Sequence, residues 1–492
     1  MTSSSAPGKT IFVRQATGLV RQISAWEALG MVVTQMGLLY VFNAIVFTPA
    51  FYPTANPFVG PVVGLLLVLP IAGVYILFSI AIPRTGGDYV WVGRIFNPGL
   101  GFVTNFSLTI IVISVVGAVA PWIASYSLGP MFYDLGILGN NSNYINIANS
   151  LETQTSQFIV AAIFIIIAGA IVMASSKLAG RVVKYWAFLS LIIGAIFIGV
   201  ALSAGQTTFA NNFNNYATQI GSNMTYNNVI SAGQQLGAYN GVPPALSQAT
   251  FSAAALGLLG YLGFNTSAYF AGEVKQNRRS QILAQFGGTL LYTALVGAIL
   301  AVEYFMEGPS FVNAIAQLWL NGSSNYPYLV GSIPLASGLS MFWTNNQVLV
   351  SIFNLAFGLT AVVMNISIFF MLSRNLFAWS FDRVVSTKFA DINERTRTPL
   401  YAIGAMVIIG LFFAYIAVFG TGVLSSLFNI GTAGQFLVFL IVAFAAIAFP
   451  YRRKDIFDSA EPLARRKIGG IPLITILGIL SVAVSIFTIY SI

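Results

Sequence analysis

Long apolar runs divide this chain of 492 residues, and they constrain its fold more than any other feature. Eleven such runs lie near residues 26–47, 60–82, 99–123, 156–174, 185–204, 249–271, 283–305, 347–372, 400–419, 424–449 and 472–490. Each is long enough to cross the apolar core of a bilayer as a helix, which takes about 20 residues. Only 7% of the residues are charged and 57% are hydrophobic, so too few charges remain to cover a water-facing surface. The sequence predicts an all-α, multi-pass protein of the cell membrane.

The basic residues fall only in alternate segments between these runs. All 22 lie in the N-terminal tail or in the loops after the second, fourth, sixth, eighth and tenth runs. Because loops rich in Lys and Arg stay in the cytoplasm, the pattern predicts a cytoplasmic N-terminus and, after eleven spans, an external C-terminus. The residues before 26 contain no apolar stretch, so they are predicted to form a polar tail rather than a cleaved signal peptide.

Residue types that support several kinds of chemistry are missing from the sequence. It has no cysteine and no histidine, which excludes disulfides, iron–sulfur clusters and histidine-ligated haem or copper. The sequence contains no glycine-rich phosphate-binding loop, so use of ATP is not predicted. The apolar runs contain no histidine, acid pair or metal site, so an enzymatic activity is not predicted. The basic residues behind the net charge of +9 all lie in the tail and loops predicted to be cytoplasmic, and no nucleic-acid partner is predicted.

The loops predicted to lie outside are long, neutral and rich in Asn, Ser and Gln. Residues 205–248 contain no charged residue. Each of the three long outer loops holds one N-x-S/T sequon, and these predict glycosylation at Asn140, Asn223 and Asn321. The alternative is chance matches in Asn-rich loops. An outer face without Lys, Arg or His changes its charge little in acid, so exposure to a strongly acidic medium is one hypothesis and compositional drift is the other.

Polar motifs follow the second, sixth and eighth runs. The second run ends in PRTGGDY at 83–89, where a proline closes the helix and two glycines permit a tight turn. The sixth is followed by EVKQNRR at 273–279, and the eighth by SRNLFA at 373–378, with Asp382 and Pro399 beyond it. These motifs resemble, in order, the P-x-x-G-G-x-Y, E-x-K-N-P-x-R and S-R-x-x-x-A signatures of amino acid–polyamine–organocation (APC) permeases, although the second lacks its proline. The similarity covers roughly residues 20–470.

The resemblance implies a five-plus-five inverted repeat, the LeuT-like permease fold, in which the first helix of each half is interrupted at mid-membrane. Interrupted helices free backbone groups for a ligand inside the membrane. The implied divisions are a cytoplasmic tail (1–25), a first repeat (26–204), a long neutral outer loop (205–248), a second repeat (249–449), and a basic cytoplasmic loop with an eleventh helix (450–492).

Two stretches match the expected interruptions and supply the predicted substrate-binding residues. In the first run they are Thr34, Gln35, Met36 and Gly37, and only Gly37 remains of the family's G-x-G. In the sixth run they are Leu259, Gly260, Tyr261, Leu262 and Gly263, with Asn265 just beyond. Glycine lowers the cost of leaving a helix. The alternative interpretation of the sixth run is close helix packing through small residues.

The substrate site is predicted to be neutral, because no charged residue lies near the middle of any run. Half-helix ends offer N–H groups to a carboxylate and carbonyls to an ammonium, which suits an amino acid with a neutral side chain. The coupling ion, sodium or a proton, stays open, and no other cofactor is predicted. For sodium the resemblance implies a hydroxyl ligand in the eighth helix, and Thr360 is the candidate. The same hydroxyl can instead bond to its own helix.

Two functions of different classes fit the sequence. The first is secondary active transport of neutral amino acids by alternating access, with the substrate and the lipid bilayer as partners. The second is a permease-like subunit that no longer transports and serves as a membrane scaffold or assembly partner. The reduced first-helix motif favours the second, as do eleven predicted helices where relatives usually have twelve or more. The sequence identifies no protein partner.

Overall fold

The computed structural model describes residues 21–39, 41–329, 332–420 and 423–491. Nearly all regular structure in these ranges is helical, with one hairpin of two short antiparallel strands, β1 (Lys467–Ile468) and β2 (Ile471–Pro472). The helices of the first half are α1 (Ala25–Gln35), α2 (Val41–Phe51), α3 (Val59–Ala81), α4 (Asp88–Ile95), α5 (Pro98–Val119), α6 (Gly129–Leu138), α7 (Ser142–Leu151), α8 (Gln154–Ala174) and α9 (Ser176–Gln219).

The second half begins with a short helix on the neutral stretch and ends with a helix after the hairpin. Its helices are α10 (Tyr226–Gln235), α11 (Gln248–Leu259), α12 (Asn277–Gln281), α13 (Gly288–Glu307), α14 (Pro309–Leu320), α15 (Ala336–Leu339), α16 (Gln347–Phe381), α17 (Leu400–Phe419), α18 (Val423–Arg452), α19 (Lys454–Ser459) and α20 (Leu473–Ser491). Short π-helical turns cover Ala124–Leu128 and Ile282–Gly287, and 3₁₀ turns cover Thr266–Tyr269, Ala271–Glu273, Ser340–Phe342 and Thr387–Ala390.

Membrane-length helices account for most of the predicted spans. In the part of the chain that the structure describes, nine helical segments are long and apolar enough to cross a membrane, and they coincide with nine predicted spans. The remaining two, near 26–47 and 249–271, are the spans that the structure divides into pieces. The multi-pass helical fold is confirmed, whereas the number of crossings and the side on which each end lies stay predictions.

The neutral stretch 205–248 is largely helical rather than extended. The helix α9 is kinked at the start of this stretch, where Gly205 has a non-helical backbone (φ 70°, ψ 174°), and its second part runs on to Gln219. The helix α10 follows after a short turn. The side chains of Phe209, Phe213 and Tyr216 lie one helical turn apart, and all three are buried against Phe342. Their spacing is visible in the sequence, but the surrounding Asn and Gln residues conceal it. Aromatic packing therefore fixes this stretch on the rest of the protein.

The motifs after the second, sixth and eighth spans meet at one end of the molecule, which also carries the Lys and Arg residues of the described ranges and which we call the basic end. The Gly86 N–H of the first motif donates to the Tyr269 carbonyl at 2.9 Å, just before the second motif. In the second motif, the Glu273 carboxylate accepts two N–H donors from the Arg374 guanidinium of the third, at 2.9 and 3.0 Å. Three motifs that lie far apart in the sequence thus form one cluster.

The pair of Glu273 and Arg374 is the centre of this cluster, and both residues are fully buried. The Arg374 guanidinium also donates to the Ser176 hydroxyl at 2.8 Å and lies 3.6 Å from the centre of the Phe370 ring. The backbone carbonyl of Glu273 accepts the N–H of Ile23 at 3.1 Å, immediately before α1. Four parts of the chain, before α1, at the start of α9, after the sixth span and in α16, are therefore held together here.

Removal of one charge of the buried pair should destabilise the protein strongly. In Arg374→Gln the Glu273 carboxylate stays buried without its cation, which costs about 3 to 5 kcal/mol for pairs of this kind. We expect a clearly lower melting temperature of the purified protein in detergent. The matched control is Asp455→Asn, which breaks the exposed pair of Arg453 and Asp455 (2.8 Å) at the same end and should leave the melting temperature unchanged. Equal melting temperatures for Arg374→Gln and the native protein would contradict the assignment.

Candidate functional site

The first helix interruption lies between α1 and α2. The helix α1 ends at Gln35, residues 36–39 form turns, and Gly37 has a left-handed backbone with φ 75°. Residues other than glycine rarely adopt this conformation, so the retained glycine lies where the chain leaves the helix. Thr34, Gln35 and Met36 are buried. The interruption is therefore enclosed by protein.

The second interruption follows α11. This helix ends at Leu259, residues 260–265 form turns, and Gly263 has φ 109°. Six residues before Gly263 in the sequence, Gly257 packs directly on the backbone of Gly60 in α3. Both interpretations of this glycine-rich run therefore apply, since Gly257 serves close helix packing and Gly263 serves the interruption.

The two interruptions are in contact. A Cβ atom on Gly263 would lie 2.8 Å from Gln35 Cγ, so the turn after α11 packs directly on the last residue of α1. The Thr266 hydroxyl lies between Gln35 Oε1 and the Gly263 carbonyl, and donates to the latter at 2.6 Å. The Gln35 amide nitrogen lies 3.8 Å from Met371 Sδ in α16. Uncharged groups of α1, α16 and the second interruption thus surround this point.

Other predicted residues of the sixth run point elsewhere. The Tyr261 hydroxyl donates to a backbone carbonyl of α3 at 2.8 Å, and Gly260 lies beneath the hydroxyl of Tyr292. Leu259 and Leu262 are half-buried. The structure therefore brings the first-run residues together with Gly263, while the side chain of Tyr261 turns towards the neighbouring helices.

The hydroxyl that α16 presents to the first interruption is that of Ser367. It lies 2.8 Å from the hydroxyl of Thr34. The predicted ligand Thr360 donates to the Ala356 carbonyl of its own helix at 2.8 Å, and it precedes Ser367 by two turns, about 10 Å along the helix. Among the described residues no group of three or more Asp, Glu, His or Cys is placed to hold a metal ion. A sodium role for Thr360 stays a prediction.

Contacts between distant parts of the sequence explain what sequence reasoning missed. Ser367, Thr266 and Met371 touch the first interruption across sequence separations of 231 to 336 residues. Each is one polar or sulfur-containing residue within an apolar run, a pattern that many helix-packing residues share. Their positions follow from the fold and from no local signal.

Three acidic residues in or beside the loops that are predicted to lie outside are buried. They are Asp134, Glu303 and Glu307. Asp134 accepts hydrogen bonds from the Tyr328 hydroxyl at 2.8 Å and the Asn354 amide at 2.9 Å, so it joins α6 to α16. These segments therefore present less charge to solvent than their composition indicates.

The three sequon asparagines are accessible. Asn140, Asn223 and Asn321 are all exposed, each within a few residues of a helix end. An acceptor for a bulky glycan has to lie on the surface. The geometry permits modification, and glycosylation itself stays a prediction.

A match to a known sequence profile identifies the family of this chain. The sequence profile of the amino acid permease family matches residues 23–492. The chain belongs to the amino acid permease family. The resemblance drawn from the three motifs at the basic end is thereby confirmed.

Individual relatives of this permease are distant. Uncharacterized protein 399 of Sulfolobus islandicus rod-shaped virus 1 is 20% identical over 275 residues, which are 56% of this chain and 54% of that protein. The chain thus spans about half the length of this curated relative. Among solved structures, MhsT in complex with L-phenylalanine is similar with a TM-score of 0.53 and 14% identity, over 94% of this chain and 98% of that one. At this identity the likeness shows the fold, which is LeuT-like.

Bulk at the contact between the interruptions should impair the permease. In Gly263→Ala the new Cβ meets Gln35, and alanine at φ 109° is strained, a cost of about 1 to 3 kcal/mol. We expect a lower melting temperature and loss of any ligand-induced stabilisation. Gly297→Ala in the middle of α13 is the control, because nothing lies within 4 Å of its Cβ. If the two variants behave alike, Gly263 has no special role.

Proposed function

We propose that this permease is a secondary transporter of neutral amino acids that works by alternating access in the cell membrane. One observation supports this more than any other: two interrupted helices meet at Gln35 and Gly263, inside the protein and with uncharged side chains around them. Unwound segments at such a point are the usual means of binding a polar substrate at membrane depth. Membership of the amino acid permease family supports the substrate class.

The ends of the interrupted helices supply poles for a zwitterion. A helix carries partial positive charge at its first turn and partial negative charge at its last. The carbonyl ends of α1 and α11 suit the substrate ammonium, and the first turn of α2 suits the carboxylate. The amide of Gln35 and the hydroxyls of Thr34 and Thr266 lie beside these ends. In this proposal they orient the substrate backbone.

The neutral surroundings restrict the substrate side chain. Residues 28–47 and 249–271, which contain both interruptions, have no Asp, Glu, Lys or Arg. A charged side chain without a counter-charge at this depth costs several kcal/mol. Neutral amino acids are therefore the proposed substrates. The neighbouring structure of MhsT contains L-phenylalanine, which supports the inclusion of large apolar amino acids among the candidates.

A panel of amino acids tests the proposal on the purified, reconstituted protein. A ligand at one hundred times its dissociation constant stabilises the folded state by about 2.7 kcal/mol, so binding should raise the melting temperature. We expect stabilisation by one group of neutral amino acids and by neither lysine nor glutamate. Uptake of the same radiolabelled amino acids into proteoliposomes, with and without sodium and at two pH values, measures transport and coupling.

Two results would contradict the proposed function. Stabilisation by lysine or glutamate alone would reject the neutral substrate class. A flat panel, obtained with protein that melts cooperatively, would favour a scaffold that no longer transports, and copurification of a stoichiometric partner would then identify that role. Gly297→Ala should follow the native protein in every assay, whereas Gly263→Ala should lose the response.

A further inference from the structure

A line of buried polar side chains runs from the second interruption towards the basic end. The Asn265 amide nitrogen, at the interruption, donates to the Tyr269 hydroxyl at 3.3 Å. That hydroxyl donates to Asp88 Oδ2 at 2.9 Å. Asp88 is the first residue of α4, outside the membrane-length helices, and it belongs to the PRTGGDY motif. The carboxyl is thus two hydrogen bonds from the interruption.

The hydrogen bonds around Asp88 have a fixed direction. The Trp379 indole N–H donates to Asn105 Oδ1 at 2.8 Å, which turns the Asn105 amino group towards Asp88 Oδ1, to which it donates. Tyr269 accepts from Asn265 and so has its own proton to give to the other carboxylate oxygen. Both carboxylate oxygens therefore receive donors, as an ionised carboxylate requires.

Burial opposes this ionised form. Asp88 is fully buried, and burial raises its pKa to about 6, against the lowering effect of the hydrogen bonds from Asn105 and Tyr269. The titratable groups that face it are the phenols of Tyr75 on α3 and Tyr269. The helix α5 has no charged residue. Charged groups on the other packed elements contact other partners: Asp382 with Tyr89, Arg374 with Glu273, and Arg452 with the Phe96 ring.

We propose that Asp88 is a proton-binding site of this permease and that Tyr269 transmits its protonation state to the interruption at Asn265. The step transfers one proton from hydronium in the solvent to a carboxylate oxygen: an O–H bond of hydronium breaks, an O–H bond forms on Asp88, and a water molecule is left. The new O–H needs an acceptor. Asn105 presents an amino group there. Of the two phenols that face Asp88, Tyr269 is the one in hydrogen-bond contact with the carboxyl, whereas the Tyr75 hydroxyl makes no hydrogen bond within the described residues, so the Tyr269 oxygen is the acceptor in place. The phenol proton then turns away from Asp88, and Asn265 has to turn its amide oxygen towards it. Protonation at the basic end thereby alters a hydrogen bond at the interruption.

The sign of the effect follows from the raised pKa. Below about pH 4 the carboxyl is neutral in both the packed and the water-exposed state, and its titration adds no cost. As pH rises from about 4 to 6, the exposed carboxyl ionises first and the packed state loses relative stability. Acid therefore favours the packed arrangement, and opening of this cluster to water releases the proton.

A measurement without substrate tests the proton site itself. The melting temperature of the native protein should fall between about pH 4 and pH 7, and Asp88→Asn, a neutral mimic, should lose part of that fall. Asp382→Asn is the control for a carboxyl at the same end. Glu152→Gln is the second control, because burial raises the pKa of Glu152 to about 7, within the same range. A melting profile of Asp88→Asn that equals the native profile would overturn the proton site.

A second variant keeps the test decisive if Asp88→Asn does not fold. Tyr269→Phe retains the carboxyl and removes one donor that favours its charged form, so the midpoint of the pH-dependent fall should move to higher pH. An unmoved midpoint counts against the site.

Transmission to the interruption is tested with a substrate, and this part rests on the proposed transport function. The affinity of the native protein for its amino acid should differ about tenfold between about pH 5 and about pH 7, because a proton that changes the binding site must in turn be affected by the bound amino acid. Both Asp88→Asn and Tyr269→Phe should lose this pH dependence, while Asp382→Asn keeps it. Retained dependence in Tyr269→Phe would overturn the transmission. If no amino acid binds, the transport function fails, and the substrate-free measurement still decides the proton site.

Discussion

A peptide group in the apolar core of a bilayer finds no hydrogen-bond partner in lipid, and this constraint governs the arrangement of the whole protein. A helix can be interrupted only where other protein covers the freed backbone. Here each interruption helps to cover the other, because Gly263 packs on Gln35 and Thr266 reaches across to the same residue. The absence of a side chain at Gly263 is what permits this contact. The two interruptions thereby form one polar region that is enclosed by protein.

The free-energy cost of burying a charged group also determines where the charged residues lie. The cation of Arg374 is buried only because Glu273 meets it with two hydrogen bonds and because Ser176 takes a further donor. Near the interruptions no such pair exists in the sequence, and the polar groups are amides and hydroxyls. A neutral site can exchange a zwitterion for water without leaving an uncompensated charge. Strong ion pairing at the basic end and neutrality at the interruptions are two results of one requirement.

Hydropathy predicted the helical spans because it acts locally, whereas the two interruptions were predicted from the family resemblance together with the glycines that match it. Gly37 and Gly263 each have the left-handed backbone that glycine favours. Contacts between segments were beyond the reach of sequence reasoning: Ser367 rather than Thr360 presents its hydroxyl to Thr34, and the helical folding of 205–248 depends on aromatic partners far along the chain. Local pattern determines where a helix breaks, whereas packing determines what faces the break.

The glycines of the PRTGGDY motif can be understood from Tyr269. The N–H of Gly86 donates to the Tyr269 carbonyl, and a Cβ atom on Gly87 would lie 2.7 Å from the Tyr269 ring. Both glycines also have positive φ, 106° and 51°. The turn is therefore shaped to receive this one residue, whose hydroxyl at the same time reaches Asp88. Because Asn265 at the interruption bonds to that hydroxyl, the first motif contacts the sixth span through both backbone and side chain. The tight turn at the basic end and the interruption of the sixth span are thus joined by direct contacts.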